Sequence, residues 1–185
     1  MRFEIKNKKT SAVIYATEAE TLKEALETAV GKGIDLSGAD LREANLAEAN
    51  LRKAKLIGAS LNQADLSKAN LRGADLTEAS LKDANLSKAN LSRANLTRTE
   101  LTRADLTNAN LTRANLYEAN LKEAKLGWAN LTEANLYKAN LAYADLKWAN
   151  FKDAHTKAAE FKGADTRNAK YLEQDEEKGR WDKEK

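Results

Sequence analysis

Leucine recurs at every fifth position through most of the chain. The run is unbroken from Leu36 to Leu146, and aromatic residues and threonine continue the same register to Tyr171. Alanine stands two residues before each of these positions from Ala39 onward, with Thr99 the one exception, and Asn or Asp usually stands between the two. Two polar residues complete each unit. The pattern predicts a repeat whose core holds one large and one small apolar side chain per unit.

A period of five does not fit the standard secondary structures. On an α-helix each step of five residues turns about 500°, so the leucines would wind around the helix instead of facing one core. The side chains of a strand alternate with a period of two, which also fails. We therefore expect the chain to turn a corner once in each unit, and four such units close one coil.

These units resemble the pentapeptide-repeat family, whose motif is a small residue, Asp or Asn, Leu or Phe, and two polar residues. Ala69-Asn70-Leu71-Arg72-Gly73 is a representative copy, and residues 34–173 contain 28 consecutive copies. The resemblance implies an all-β fold, a right-handed quadrilateral β-helix (a pentapeptide-repeat solenoid) of about seven coils with Leu and Ala pointing inward.

The fifth position of each unit departs from the family pattern. Gly is frequent there in the family and suits a turn with positive φ, but here it occurs only at Gly38, Gly58, Gly73 and Gly163. The other fifth positions are mostly charged, amide or aromatic residues, which rarely adopt positive φ. We therefore expect most corners to avoid a left-handed residue.

Residues 1–33 lie outside the repeat and are predicted to cap it. Phe3–Lys6 and Ala12–Ala16 have the pattern of a β-hairpin, and Thr21–Lys32 has one apolar helical face between an N-terminal Thr and a following Gly. A cap is expected because an open solenoid end exposes unpaired backbone groups and leucine. At the other end, residues 174–185 are predicted to be a charged tail, whose Trp181 can fold back onto the last coil.

Composition argues against catalysis. The chain has no Cys and a single histidine, His155, so neither a thiolate metal site nor a nucleophile–base pair is expected. The carboxylates are dispersed along the repeat. No apolar stretch has the length of a membrane span, and the N-terminus lacks the pattern of a signal peptide. We expect a cytoplasmic protein without membrane contact that uses no metal or cofactor.

One side of the predicted solenoid carries the excess charge. Because residues four units apart align, the unit at residues 49–53 and every fourth unit after it form one face, with seven basic against three acidic residues. The other three faces sum to 0, −1 and 0. We name this side the basic face, and Trp128 and Trp148 stand at the corner that leads into it. The candidate binding residues are Arg52, Lys53, Arg72, Arg93, Arg113, Trp128 and Trp148.

Several functions remain open at this point. The first is a non-catalytic scaffold or protein-interaction module with an unknown protein partner, as a monomer or as an end-to-end dimer through the C-terminal coil. Weak binding of nucleic acid or another polyanion through the basic face is an alternative. The family resemblance implies another, a DNA-like acidic rod that protects or inhibits DNA gyrase, but a net charge of +3 has the opposite sign. An engineered consensus repeat is the last alternative.

Overall fold

The computed structural model describes residues 1–172, so the expected tail and the contact of Trp181 lie outside the described residues. Its regular elements are strands β1 (Arg2–Lys6) and β2 (Val13–Glu18) and helix α1 (Leu22–Gly31). The two strands pair antiparallel, with Arg2 opposite Glu18. The predicted hairpin and helix are therefore both present, and β2 runs two residues further than expected.

Local side-chain and glycine signals set the ends of α1. The Thr21 hydroxyl oxygen accepts a hydrogen bond from the backbone N–H of Glu24 at 3.1 Å, which caps the first turn. After the last turn, Gly33 has φ +70°, and its N–H donates to the carbonyl of Val30 at 2.9 Å. This left-handed glycine ends the helix and directs the chain into the repeat.

The repeat forms a β-solenoid in which four units make one coil. Residues at the second position of each unit make parallel bridges to the matching residue four units later, from the Asp35–Lys55 bridge to the Asn150–Lys170 bridge. Between coils, the N–H of each leucine donates to the carbonyl of a second-position residue in the following coil. Leu96 donates to Asn115 in this way at 2.7 Å. Backbone pairing therefore runs along the stack, as the four-unit alignment predicted.

The interior contains the predicted leucine and alanine columns. Every leucine from Leu36 to Leu146 in the register is at most 1% exposed, and each contributes about 1.5–3 kcal/mol by its burial. Thr99, the one departure among the alanine positions, is fully buried, and its hydroxyl donates to the Leu76 carbonyl at 2.9 Å. The substitution thus leaves no buried polar group without a partner at this position.

The expectation that most corners avoid left-handed residues is wrong. All 27 fifth positions from Gly38 to Asn168 have φ between +54° and +71°; four of them are glycine and 23 are not. Two hydrogen bonds impose this geometry, as at Arg103. The turn around it is closed by a bond from the Ala104 N–H to the Leu101 carbonyl at 3.0 Å, while its own N–H donates to the next coil at 3.0 Å. The cost of about 1–2 kcal/mol per residue is offset by the leucine that each corner buries.

The cap gives partners to backbone groups at the open edge of the first coil. The Lys6 carbonyl of β1 accepts the N–H of Asp40 at 2.8 Å, and the carboxylate of Glu27 in α1 accepts the N–H of Asn50 at 2.7 Å. In later coils these N–H groups donate to the preceding coil. The cap therefore takes the place of a preceding coil at two of the four sides.

Apolar contacts complete the cap. Ile5 of β1 and Leu26 and Ala29 of α1 are at most 1% exposed and join the same core as Leu36. Within the described part of the chain, no helix combines the length and the apolar character that a membrane span needs.

Candidate binding surface

The basic face begins with the inward and outward alternation of each unit. In the unit at residues 49–53, the first and third side chains are buried, so Arg52 and Lys53 at the fourth and fifth positions point to solvent and are exposed. The same positions in the next two units of this face hold Arg72 and Arg93, both of which lie on the surface. Consecutive coils therefore present these cations in two adjacent columns, with Arg52 and Arg72 in one and Lys53 and Arg93 in the other. We call these four residues the arginine file.

The arginines of this file differ from the others in having no carboxylate partner. Of the nine arginines in residues 1–172, six lie within 4.0 Å of a carboxylate, and the three that do not are Arg52, Arg72 and Arg93. The six paired arginines are Arg2, Arg42, Arg98, Arg103, Arg113 and Arg167. All three unpaired arginines of the described chain thus lie on the basic face, in three consecutive coils.

The structure separates Arg113 from this group. Its guanidinium donates two hydrogen bonds to the Glu133 carboxylate, at 2.7 and 3.0 Å, in the next coil of the same face. The bond lowers the pKa of Glu133 and raises the pKa of Arg113. Because this pair is already neutralised, the free cations in the first three coils of the basic face are Arg52, Arg72 and Arg93, together with Lys53.

A neighbouring corner shows what full pairing looks like. In the column of fifth positions that contains Arg98, the guanidinium lies 2.9 Å from Glu118 below and 3.9 Å from Glu78 above, and Glu118 also meets Lys138 at 3.7 Å. Charges alternate in sign along this column. On the basic face the residues that align with the unpaired arginines in adjacent coils are neutral or basic. The described coils therefore offer these arginines no carboxylate at the same distance.

Asparagine at the second position contributes mainly to the turns. On the basic face the side-chain oxygen of Asn90 accepts both the N–H and the hydroxyl of Ser92, at 3.1 and 2.7 Å. Hydrogen bonds between asparagine side chains of adjacent coils are long on this face: the Asn70 amide donates to the Asn50 side-chain oxygen at 3.4 Å. The sequence signal for this turn is an Asn or Asp two residues before a Ser or Thr. This spacing predicts the turn, and it was not among the patterns that led to the candidate binding residues.

Trp128 and Trp148 form an exposed stacked pair beside the basic face. Their ring centroids are 4.8 Å apart with an interplanar angle of 4°, and the residues are 58% and 41% exposed. The stack of Tyr117 with Tyr137, which are also four units apart, is half-buried, with its centroids 5.8 Å apart. Both tryptophans have positive φ, which is an outlier for so bulky a side chain.

His155 and the carboxylates are the other polar residues of the described chain with possible chemistry. His155 stacks on Tyr137, with ring centroids 5.7 Å apart. Across residues 1–172, no group of three His, Cys, Asp or Glu side chains is placed to hold a metal ion. The surface described above has cations without partners among the described residues and exposed aromatic rings, which suit binding of an anion.

Two family models match the repeat. The model described as pentapeptide repeats (8 copies) matches residues 34–73 and 74–113, and the model described as a pentapeptide repeat region matches residues 94–171. Together they cover most of the chain. No curated protein matches it.

Solved structures of similar sequence include two cyanobacterial proteins. Rfr23, a pentapeptide repeat protein from Cyanothece 51142, is 34% identical over 60% of this chain and 62% of its own, with a TM-score of 0.35. HetL from Nostoc sp. strain PCC 7120, involved in heterocyst differentiation regulation, is 33% identical over 75% of this chain and 81% of its own, with a TM-score of 0.24. The chain thus spans less than two thirds of Rfr23.

A more distant match is a trypsin-treated variant of QnrB1, a plasmid-mediated fluoroquinolone resistance protein. It is 17% identical over 71% of this chain and 78% of its own, with a TM-score of 0.41. Because all three TM-scores are low, the family assignment rests on the family models and the repeat itself.

Proposed function

Because this chain belongs to the pentapeptide-repeat family, we propose that it is a non-catalytic scaffold that holds an anionic partner on its basic face. The observation that supports this most is the position of Arg52, Arg72 and Arg93. All three lie in one file without a carboxylate within 4.0 Å, while the other six described arginines are paired. Within residues 1–172, a partner that binds these arginines breaks no ion pair.

The proposed scaffold is a right-handed solenoid with a cap at one end and a tail at the other. Units from residue 34 to 173, with four units in each coil, give about seven coils, and the family resemblance implies a right-handed quadrilateral path. Residues 1–33 then act as the cap domain and residues 174–185 as the tail.

The chemistry of arginine defines what the partner presents. A guanidinium binds carboxylate or phosphate oxygens through two parallel hydrogen bonds, so the partner supplies such groups at several successive points. With four free cations spread over three coils, we expect weak, salt-sensitive binding. The proposed scaffold therefore holds its partner by electrostatic contacts along one side of the rod.

Gyrase protection requires a different surface. A mimic of duplex DNA presents dense negative charge, whereas no face of this repeat is more negative than −1. The name of QnrB1 describes resistance in that protein, and its likeness to this chain concerns the fold alone. We expect no inhibition of gyrase in a supercoiling assay; inhibition at micromolar protein would replace the present proposal.

Charge reversal on the basic face tests the proposal. With duplex DNA as the polyanion, four free cations predict a log–log salt slope of about −3 to −4, and Arg72→Glu with Arg93→Glu abolishes binding. The control is Arg42→Glu with Lys82→Glu, which changes the net charge equally on the −1 face and leaves binding nearly intact. Equal loss from both double variants, or no binding of the parent to any polyanion or acidic peptide at low salt, overturns the proposal.

A further inference from the structure

We propose that the basic face and the Trp128–Trp148 pair form one continuous surface that binds single-stranded nucleic acid. Phosphates lie on the arginine file and bases stack on the indoles. This inference rests on the proposed function, because it names the anionic partner of the same face. Proteins that bind single strands combine a positively charged track for the backbone with aromatic rings for the bases.

The two features lie on the same side of the solenoid at a short distance. Trp128 directly precedes the unit at residues 129–133 of the basic face, and this unit lies two coils beyond the unit that contains Arg93. At a spacing of about 4.8 Å per coil, the separation along the axis of the solenoid is about 10 Å, and the axial length of the surface from Arg52 to Trp148 is about 24 Å. A short single strand spans that length.

The tryptophans expose apolar surface that their own packing leaves uncovered. At some other corners the side chain forms an ion pair between coils, as Arg103 does with Asp83 at 2.7 Å. Trp128 and Trp148 at φ +62° and +63° stack on each other, yet they remain 58% and 41% exposed. Because all fifth positions from Gly38 to Asn168 share this conformation, it is the exposure of two large indole faces that points to a binding role.

The stack is also open to extension by a third ring. The neighbouring positions in this column are Asn108 above and Asn168 below, which carry no ring to stack on the indoles. Two rings already parallel within 4° need no rearrangement before a base is added. The indoles are therefore preorganised for a base that is free of its own stack.

This combination favours a single strand over the other anionic partners. In a duplex the base faces are covered by neighbouring base pairs, so the indoles gain nothing and only the phosphates are contacted. An acidic peptide satisfies the arginines but brings few planar rings. A single strand uses both halves of the surface, and stacking adds affinity without sequence specificity.

The test compares three anions with matched variants. A labelled thymidine strand of about 12 nucleotides, duplex DNA and heparin are titrated by fluorescence anisotropy, and quenching of tryptophan emission reports stacking. The variant Trp128→Ala with Trp148→Ala is expected to weaken single-strand binding about tenfold or more and to leave heparin binding unchanged. The control, Tyr117→Ala with Tyr137→Ala, removes the tyrosine stack and leaves all three affinities near those of the parent.

The outcomes separate this inference from the proposed function. Loss of single-strand binding and quenching in the tryptophan variant, with heparin binding and the circular dichroism spectrum retained, supports the inference. Full single-strand affinity in that variant overturns it and leaves the proposed function intact, provided that Arg72→Glu with Arg93→Glu still abolishes binding. Binding of an acidic peptide without binding of any nucleic acid also overturns this inference and leaves the proposed function intact. Absence of binding to every anion overturns both.

Discussion

Two units near opposite ends of the repeat share an Asp–Arg ion pair on the outside and differ in the interior. In Asp40-Leu41-Arg42 the guanidinium meets the carboxylate at 2.7 and 2.6 Å, and in Asp165-Thr166-Arg167 it does so at 2.9 and 2.6 Å. The inward residues differ in exposure: Leu41 is 1% exposed, whereas Thr166 is partly exposed.

This difference shows which parts of a unit depend on its neighbours. The ion pair forms within one unit and the turn closes onto the first residue of the following unit, so both are present at both ends. The inward side chain instead requires coverage on both sides along the stack. Near Leu41 the hairpin and α1 supply that coverage, whereas Thr166 belongs to the last described coil, where threonine reduces the apolar surface. A substitution of the inward side chain is therefore expected to destabilise the capped end more than the last described coil.

Deletion of residues 1–32 is expected to have the largest effect. It removes the partners of the first coil and exposes its leucines, so the truncated chain gains an open edge that pairs with another copy. Sedimentation velocity over a range of concentrations will then show association that the full chain lacks. A truncated protein that stays monomeric at high concentration contradicts the role assigned to the cap.

Aspartate at the inward position compares the two ends directly. Leu41→Asp loses leucine burial and places a charge in the core, so unfolding free energy falls by at least about 4 kcal/mol. Thr166→Asp leaves its charge partly in water and costs about 1 kcal/mol or less. Urea denaturation measures both. Equal losses would mean that the last described coil is as well covered as the first.

Glycine at the corners gives a smaller effect of opposite sign. Glu43 has φ +58° and no carboxylate–cation pair within 4.0 Å, so Glu43→Gly relieves left-handed strain and is expected to stabilise by about 0.5–1 kcal/mol. Asn168 at φ +60° already tolerates this conformation, so Asn168→Gly changes stability less. Thermal denaturation of the two variants ranks them. A destabilised Glu43→Gly protein would show that the glutamate side chain makes a favourable contact in the coil.

The smallest expected effect is the pH dependence of the two ion pairs. The hydrogen bond from Arg167 lowers the pKa of Asp165 to about 2, and the one from Arg42 lowers the pKa of Asp40. A carboxyl with a lowered folded-state pKa stabilises fully above its unfolded pKa near 3.8 and loses this contribution as pH falls toward 2.

Removing each carboxylate tests that window. Stability curves of Asp165→Asn and of the parent converge between about pH 4 and pH 2, and Asp40→Asn behaves in the same direction. Parallel curves over that range would mean that the exposed pairs contribute nothing measurable.

Sequence alone predicted the features that depend on period and local pattern. The leucine register, the alignment of residues four units apart and the cap elements all follow from apolar spacing and from caps such as Thr21. The sign of φ at the corners did not, because residues such as Arg103 have no intrinsic preference for it and the hydrogen bonds that close the turns and join the coils impose it.

The candidate surface was predictable in position but not in composition. The excess charge of one face follows from counting, and so does the place of Trp128 and Trp148 at its corner. Counting did not show that Arg113 is neutralised by Glu133 at 2.7 Å while Arg72 has no partner, because pairing depends on side-chain reach between coils.

The closed turn of each unit has a consequence for how such a rod changes length. Because each unit completes its own corner, an insertion or deletion of one unit leaves the core in register but rotates everything downstream by a quarter turn. Removing residues 104–108 would carry Trp128 and Trp148 away from the arginine file while the leucine columns stay in register. Removing four whole units would shorten the rod and keep its sides aligned. Changes by whole coils therefore preserve the surface pattern of each face, whereas changes by single units move every downstream residue to the next face.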